Sequence, residues 1–131
     1  MEKTVYEKIL AGEEEGWVIW ENEGFAAILT HDPFHEGHTL VIPKRNSGDD
    51  IFDLEDEVYE GLMKAVKVVG RLLREKLGVK RVTIWVRGFQ VPHVHVHLIP
   101  AHPEVNLVSA LRKGSPVAYR ELEGVARKLG N

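Results

Sequence analysis

Cysteine is absent from this chain of 131 residues. A disulfide-stapled fold and a thiol nucleophile are therefore excluded, so any nucleophilic catalysis has to use another side chain. The sequence also lacks an apolar run that approaches the ~18–20 residues needed to span a bilayer. Residues 1–4 lack the apolar region of a signal peptide, and we expect a cytoplasmic protein with no membrane partner.

An excess of positive charge is also missing, because the formal net charge is −3. Proteins that bind nucleic acids usually carry a basic patch, so this charge balance predicts no nucleic-acid partner. It is compatible with a small phosphorylated ligand, since a local site can be positive on an acidic surface. The length is that of one domain with its own hydrophobic core, and we predict a single domain over residues 1–131.

Side-chain amides are scarce, and Gln90 is the only glutamine. Histidine is more abundant, and its seven copies fall in two short stretches, at residues 31–38 and 93–102. Two distant segments that are rich in one residue type indicate a single site in space.

The most informative segment is VPHVHVHLIP, at residues 91–100. Its histidines alternate with aliphatic residues, and this period of two is typical of a β-strand with two different faces. The aliphatic side chains would enter a core, while the imidazoles would project from the opposite face, successive ones roughly 6.5 Å apart. The imidazoles belong to His93, His95 and His97. Three in a row contribute little as packing, so the pattern indicates chemistry.

Periodicity and capping residues predict five strands and three helices. The strands are expected at residues 17–20, 25–29, 38–43, 79–86 and 93–99. The helices are expected at residues 4–11, capped by Thr4, at 53–77, capped by Asp53 and ended by Gly78, and at about 116–129. The first three strands can form an antiparallel meander and the last two a hairpin, with the helices on one face. This is an α+β fold with one long helix and shorter flanking helices.

The stretch GHTLVIPK at residues 37–44, followed by HVHVHLI at 93–99, resembles the histidine triad (HIT) family. The signature of that family alternates three histidines with hydrophobic residues, and this chain matches every position. Residues 6–9 also resemble the opening helix of the family, so the likeness covers about residues 4–101. It implies a HIT-like antiparallel sheet of about five strands.

The resemblance also implies a reaction, the cleavage of a nucleotide at its α-phosphate through a covalent nucleotidyl-histidine. The substrate would be a nucleoside phosphoramidate or a dinucleoside polyphosphate, and no cofactor is needed. By position His95 is the nucleophile, and His93 and His97 donate to phosphate oxygens. His97 also protonates the leaving group, and His38 supports the same site from a neighbouring strand.

Further residues are assigned to binding by the same resemblance. The phosphate or leaving group would contact Gln90, Phe89 and Gly88. The ribose would contact Thr30, His31 and Asp32, in a loop where relatives commonly carry Asp or Asn. The base would contact Tyr6, Ile9, Ile28 and Leu40, although each of these fits an ordinary core position equally well.

Some HIT relatives hold a structural zinc with two cysteines and a histidine at positions that here read Thr4, Glu7 and Asn46. The loss of all three predicts no metal in this chain. The residues alone leave two other functions open. One is a metal site formed by His38, His93 and His95, and the other is a nucleotide-binding module without catalysis.

Relatives form symmetric dimers, and the resemblance implies a homodimer here. The exposed edge of the triad strand and the long helix would form the contact, because an unpaired sheet edge is a liability that two-fold pairing removes. The helix region also carries apolar residues outside its narrow stripe, namely Ile51, Phe52, Val66 and Val68. A monomer could instead bury them against its own C-terminal helix.

Overall fold

The computed structural model of the protein describes residues 2–103 and 121–130. The fold is α+β, as predicted. Its strands are β1 (Val18–Glu21), β2 (Phe25–Leu29), β3 (Thr39–Pro43), β4 (Arg81–Trp85) and β5 (Val96–Ala101). Its helices are α1 (Val5–Leu10), a 3₁₀ helix (Ile51–Asp53), α2 (Asp56–Leu77) and α3 (Leu122–Lys128). None of the helices in the described ranges is long and apolar enough to cross a membrane.

The five strands form one antiparallel sheet in the order β1-β2-β3-β5-β4. The predicted meander and hairpin are both present. The triad strand is not an edge, because β5 lies between β3 and β4, and the expectation of an exposed edge there was wrong. The edges of the described sheet are β1 and β4. The alternation of residues 93–99 predicts a strand, but it does not say which neighbours that strand pairs with.

The long helix begins later than predicted. Asp50 caps the 3₁₀ helix by accepting a hydrogen bond from the Phe52 N–H at 2.9 Å, and α2 starts only at Asp56. Acidic residues stabilise the N-terminus of any helix, and Asp53 lies between the starts of these two helices. The sequence alone therefore predicted Asp53 as the cap of α2. The predicted end is correct, since Gly78 closes α2 in the left-handed conformation at φ 67°.

Helices cover both faces of the sheet, whereas the sequence predicted one. Alternate strand residues face α2 and α3, and they are Ala27, Leu29, Val41, Val96 and Leu98. The intervening residues of β2 and β3 pack against Tyr6 and Ile9 of α1 instead. An amphipathic pattern shows that a helix buries one side, but it does not show which face of a sheet it covers. The histidine face of β5 is therefore roofed by α1.

Strands β3, β4 and β5 are shorter than the patterns that predicted them. β5 starts at Val96, and the residues before it are held by two other backbone hydrogen bonds. The His93 N–H donates to the Val91 carbonyl at 2.8 Å, and the Val94 N–H donates to the Gly48 carbonyl at 2.9 Å. The predicted start of the last helix, at residues 116–120, lies outside the described residues.

Candidate active site

The sheet brings the two histidine stretches together. His97 pairs with Leu40 across β5 and β3, so it lies close to His38, which directly precedes β3. The His38 Nε2 and His97 Nδ1 atoms are 2.9 Å apart. The expectation that both stretches form one site is met for these histidines, and all four of His38, His93, His95 and His97 are buried.

His95 has a defined tautomer. Its Nδ1 lies 2.7 Å from the backbone carbonyl oxygen of His93. A carbonyl oxygen can only accept, so Nδ1 carries the hydrogen of the neutral ring. The lone pair is therefore on Nε2, the atom that would act as a nucleophile.

His93 uses both ring nitrogens within the protein. Its Nε2 lies 2.7 Å from the Pro43 carbonyl oxygen and must donate to it. Its Nδ1 lies 2.8 Å from the hydroxyl of Thr4 and accepts from it, while that hydroxyl accepts from the Glu7 N–H at 3.2 Å. In this arrangement neither nitrogen of His93 is left to donate to a phosphate. The backbone carbonyl of His93, not its ring, is the part that contacts His95.

The tautomer of His97 is fixed through His38. The Phe34 N–H donates to His38 Nδ1 at 2.9 Å, so the hydrogen of neutral His38 is on Nε2. That hydrogen is donated to His97 Nδ1, which leaves the His97 hydrogen on Nε2. His97 therefore presents a donor, and His95 presents a lone pair, on rings whose centroids are 5.1 Å apart.

Burial keeps these imidazoles neutral. Loss of hydration, followed by the effect of the nearby His97, lowers the pKa of His38 to about 3. The pKa of His97 falls to about 4, first because of burial and then because of electrostatic interactions with His95 and with the positive charge of Arg87. Burial also lowers the pKa of His93 and of His95. A neutral His95 is the form that carries a nucleophilic lone pair at pH 7.

Comparison with known proteins agrees with the geometry. The sequence model described as HIT domain matches residues 11–104. An uncharacterized HIT-like protein of Methanocaldococcus jannaschii is 34% identical over 103 residues, which are 75% of this chain and 78% of that one. The chain belongs to the histidine triad family. Proteins of this family are generally nucleotide-binding hydrolases or transferases.

Two further relatives show the range of the family. The adenosine 5′-monophosphoramidase of Saccharomyces cerevisiae is 30% identical over 101 residues, covering 76% of this chain and 63% of the yeast protein. A crystal structure of a HIT-like protein from Bartonella henselae superposes with a TM-score of 0.81 at 23% identity. It covers 97% of this chain and 93% of that chain, and it supports the fold alone.

Aromatic rings surround the triad of this HIT protein, and the sequence analysis missed most of them. The Tyr6 ring stands edge-on to His93 and His95, at 5.4 and 5.2 Å between centroids. The Trp85 ring lies 5.2 Å from that of His97. The register could have revealed Trp85, because it is the direct cross-strand partner of His97.

The four residues expected around the base do lie together. They are the buried side chains Tyr6, Ile9, Ile28 and Leu40, which share one apolar cluster on the α1 side of the sheet. This cluster reaches the triad histidines through the Tyr6 ring. The structure therefore groups them beside the triad.

The first residue of the loop that is expected to contact the ribose, Thr30, forms a hydrogen bond within that loop. The Asp32 N–H donates to the Thr30 hydroxyl at 3.2 Å, so that hydroxyl is partly used within the loop. The carboxylate side chain of Asp32 is exposed, whereas Thr30 and His31 are half-buried. The Trp17 ring lies 5.9 Å from that of His31. The loop returns to the site through the Thr30 N–H, which donates to the His38 carbonyl at 3.2 Å.

The segment between β4 and the triad, residues 86–92, approaches the site at Arg87, whose charge acts on His97. Gly88 has φ 84°, and a Cβ there would lie 3.3 Å from the Asp49 carbonyl oxygen. Both the conformation and the close approach favour glycine at this position. Phe89 is 86% exposed, and Gln90 is also exposed. The sequence analysis overlooked Arg87.

The zinc-ligand positions of the HIT family hold hydrogen bonds in this chain. Thr4 Oγ1 and His93 Nδ1 are 2.8 Å apart, whereas two ligands of one tetrahedral zinc would be roughly 3.3 Å apart and share no hydrogen. The Glu7 carboxylate accepts from the Thr4 N–H at 3.0 Å, and the Asn46 amide donates to the Pro92 carbonyl at 3.0 Å. These residues do not fit a zinc ion.

The alternative metal site at His38, His93 and His95 is not supported either. The ring nitrogens of His93 are both bonded, and His38 donates to His97. Over residues 2–103 and 121–130, no group of three or more His, Cys, Asp or Glu side chains is arranged to hold a metal ion.

Proposed function

We propose that this HIT protein hydrolyses a nucleotide at its α-phosphorus, with His95 as the nucleophile. The observation that carries the proposal is the hydrogen bond from His95 Nδ1 to the His93 carbonyl at 2.7 Å, which leaves the lone pair on Nε2. Burial lowers the pKa of His95, so the ring is neutral and reactive at pH 7. No metal is needed for this activation.

In the first step, His95 Nε2 bonds to the phosphorus as the bond from phosphorus to the leaving atom breaks. The negative phosphate favours the cation of His97, which takes up a proton from solvent as substrate binds. His97 then gives a proton from Nε2 to the leaving atom. The products of this step are the free leaving group, a neutral His97 and a nucleotidyl-His95 whose ring is cationic.

In the second step, a water oxygen bonds to the phosphorus and the bond from phosphorus to His95 breaks. The water gives one proton to neutral His97, which restores its cation, and the nucleoside monophosphate departs. Before substrate binds, His38 orients His97, because its Nε2–H donates to His97 Nδ1 at 2.9 Å; this hydrogen bond opens while His97 Nδ1 carries the added proton. We assign His93 a positioning role, since its ring is bonded to Thr4 and Pro43.

Substrate binding is assigned to three neighbouring regions. The base would enter between α1 and the sheet, where Tyr6, Ile9, Ile28 and Leu40 cluster. The ribose hydroxyls would contact the loop Thr30, His31 and Asp32, with the Asp32 carboxylate as the exposed acceptor. The phosphate and leaving group would contact Gly88, Phe89 and Gln90. The name of the yeast relative, a monophosphoramidase, supports a nucleoside phosphoramidate, and a dinucleoside polyphosphate is the second substrate class.

The experiment that tests the reaction is AMP release from adenosine 5′-phosphoramidate and from diadenosine triphosphate. His95→Ala should abolish release, while the matched control His102→Ala, a histidine outside the hydrogen-bonded set, should retain it. After a quench at alkaline pH, mass spectrometry should find one AMP on the peptide that contains His95. Tight AMP binding with no turnover and no labelled peptide would instead establish a non-catalytic nucleotide-binding module.

Two copies of the chain are proposed to pair through the β4 edge and α2. Ile84, in the middle of β4, is 54% exposed beside a groove of about 360 Å³ between β4 and α2. The charges of α2 are segregated along its length. Its first half carries Asp56, Glu57 and Glu60 with one cation, Lys64, and its second half carries Lys67, Arg71, Arg74 and Lys76 with one anion, Glu75. Two antiparallel copies would set each acidic half against a basic half, which favours two-fold pairing.

Light scattering at micromolar protein tests this pairing. The expected mass is twice that of the 14.8 kDa chain. Arg71→Glu with Arg74→Glu should lower the dimer fraction, and adding Glu57→Lys with Glu60→Lys should restore it. A monomeric mass for the fully active wild type would show that pairing is no part of the mechanism.

A further inference from the structure

Two histidines meet outside the triad site, and the proposed reaction uses neither. His35 and His102 come from the two histidine-rich stretches of the sequence. Their ring centroids are 4.9 Å apart, and the ring planes are tilted by 43°. Both side chains are half-buried, so the pair lies at the surface of the fold. The two stretches therefore contact each other at a second place, separate from the contact between His38 and His97.

The pairing of β3 with β5 explains why these rings meet. The two strands are antiparallel, and when the register that begins at Thr39 is continued outward, His35 falls opposite His102. The segments remain close beyond the paired residues, because a Cβ at Gly37 would lie 3.1 Å from Cγ of Pro100. Directly opposed residues have Cβ atoms roughly 4.5–5.5 Å apart, which lets both side chains reach one ligand.

The spacing of the two rings suits two ligands of one metal ion. With bonds of ~2.0–2.1 Å from nitrogen to metal, two imidazole centroids lie roughly 5.2 Å apart at a tetrahedral ion. They lie roughly 4.5 Å apart at neighbouring corners of a square-planar ion. The observed 4.9 Å falls between these values. Imidazole is a ligand that zinc, copper and nickel all accept.

One ring nitrogen of this pair has no partner. His35 Nδ1 is buried and makes no hydrogen bond within residues 2–103 and 121–130. A buried polar atom in this state costs free energy, and a water or an ion is the usual remedy. Packing of the two rings alone leaves the nitrogen unsatisfied, whereas a metal ion would accept its lone pair. Ring spacing and the unpartnered nitrogen are independent observations, and both indicate a metal.

Water would supply the other ligands of such an ion. Among the described residues, no group of three or more His, Cys, Asp or Glu side chains suits a metal. The Glu36 carboxylate, next to His35 in the sequence, is paired with the Lys128 ammonium of α3 at 3.5 Å. A site with two protein ligands and open positions differs from structural zinc sites, which have four protein ligands. It also uses none of the zinc-ligand positions of the HIT family, whose loss predicted a chain without metal.

We infer that His35 and His102 together bind one divalent transition-metal ion, with water in the remaining positions. The ion would fasten the loop at residues 30–37 to the end of β5, because each segment supplies one ligand. The His38 N–H donates to the His35 carbonyl at 3.1 Å, so the ion would also steady the residue that precedes β3. The inference is independent of the proposed reaction, since no triad nitrogen is a ligand.

Calorimetric titration of the untagged, chelator-washed protein with Zn²⁺ tests the site. The wild type should bind one Zn²⁺ per chain. His35→Ala and His102→Ala should each weaken binding by at least about tenfold, because loss of a direct ligand exceeds the usual effect of losing a group that only orients one. His31→Ala, in the same loop, and His95→Ala, in the triad, should bind Zn²⁺ as the wild type does. Urea unfolding of the four variants establishes that each one is folded.

The wild type alone provides two further measurements. Cu²⁺ should bind more tightly than Zn²⁺, as is general for nitrogen ligands, and its electron paramagnetic resonance spectrum should show coupling to two nitrogens. Hydrogen exchange at the His38 amide should slow when Zn²⁺ is added, because the ion holds the acceptor of that amide in place. The same addition should leave this exchange unchanged in His102→Ala.

The opposite results would contradict the inference. If the wild type binds no Zn²⁺, or if His35→Ala and His102→Ala bind it equally well, the pair is not a metal site. Loss of binding in His95→Ala alone would place the ion at the triad, and coupling of Cu²⁺ to one nitrogen would indicate an ordinary surface histidine. AMP release is measured with a chelator present, so failure of the proposed reaction would leave these results intact.

Discussion

Replacing Thr4 with valine should test how far the first helix controls the histidines of the triad. Valine has nearly the same shape as threonine but no hydroxyl. The change removes two hydrogen bonds at once, the one accepted from the Glu7 N–H at 3.2 Å and the one donated to His93 Nδ1 at 2.8 Å. The rest of the capping box survives, because the Glu7 carboxylate still accepts from the backbone N–H of residue 4.

The expected loss of stability has two parts. Removing an N-cap side chain costs ~1 kcal/mol. A buried nitrogen acceptor left without a partner costs ~1–3 kcal/mol, and His93 is fully buried. The free energy of unfolding should therefore fall by about 2–4 kcal/mol. Thr4→Ser keeps the hydroxyl and should stay within ~0.5 kcal/mol of wild type, the usual range for a mild substitution.

Activity provides a second and independent readout. His93 carries the carbonyl that orients His95, so a His93 ring released from Thr4 should loosen the position of His95, the proposed nucleophile. A loss of ~1.4 kcal/mol in orientation would lower kcat about tenfold with little change in KM. Urea unfolding and steady-state AMP release from adenosine 5′-phosphoramidate, measured on both variants, provide these values. If Thr4→Val were as stable and as active as Thr4→Ser, the link from α1 through His93 would be refuted.

Two further predictions concern the two faces of the sheet. Val96 is fully buried on the α2 face, so Val96→Asp should cost several kcal/mol in urea unfolding, whereas Val68→Asp at a 47% exposed site should cost little. The free energy of unfolding should fall as the pH drops from about 6.5 toward 4. The expected loss is about 1.4 kcal/mol per pH unit for each of the buried histidines His38 and His97, because their imidazoles bind protons in the unfolded chain but not in the fold. His38→Asn should lower this slope by the contribution of about one proton, about 1.4 kcal/mol per pH unit. An unchanged slope would contradict the lowered pKa of His38.

The sequence predicted the local structure well because local patterns encode it. The bounds of β2 are those predicted from the sequence, and Gly78 ends α2 where a left-handed residue was needed. The N-terminus of α2 was predicted three residues too early, since Asp50, Asp53 and Asp56 are all adequate caps or first-turn residues. Local chemistry does not decide between equivalent choices.

The layering of the fold could not be read in the same way. The composition of β5 could have indicated an interior strand that is buried on both faces, because none of its residues carries a charged carboxylate, lysine or arginine side chain. The alternation predicts a row of imidazoles opposite the aliphatic face, but the strand was expected at an edge of the sheet. The helix that roofs this row, α1, is short, and its Tyr6 and Ile9 gave no sign of which face of the sheet they would cover.

The hydrogen-bond partners were the least predictable part of the site. Thr4 was recognised as a helix cap, and His93 as a member of the triad, but their contact joins residues 89 positions apart. Likewise, the acceptor for His93 Nε2 is the carbonyl of Pro43, an atom that every residue possesses. Sequence patterns identify side chains, whereas the tautomers here depend on backbone atoms whose positions only the fold determines.

Because backbone atoms set the proton positions, the groups that control the reaction differ from the residues that select the substrate. The Phe34 N–H and the carbonyls of Pro43 and His93 set the protons of the triad and of His38, so substitutions elsewhere can leave those protons in place. The residues proposed to recognise the ribose and the leaving group instead lie on the connecting segments 30–37 and 86–92. Segments of this kind accept change more readily than strands do. A substitution at Phe89 or Gln90 should therefore alter which leaving group is accepted, while one at Thr4 should slow every substrate alike.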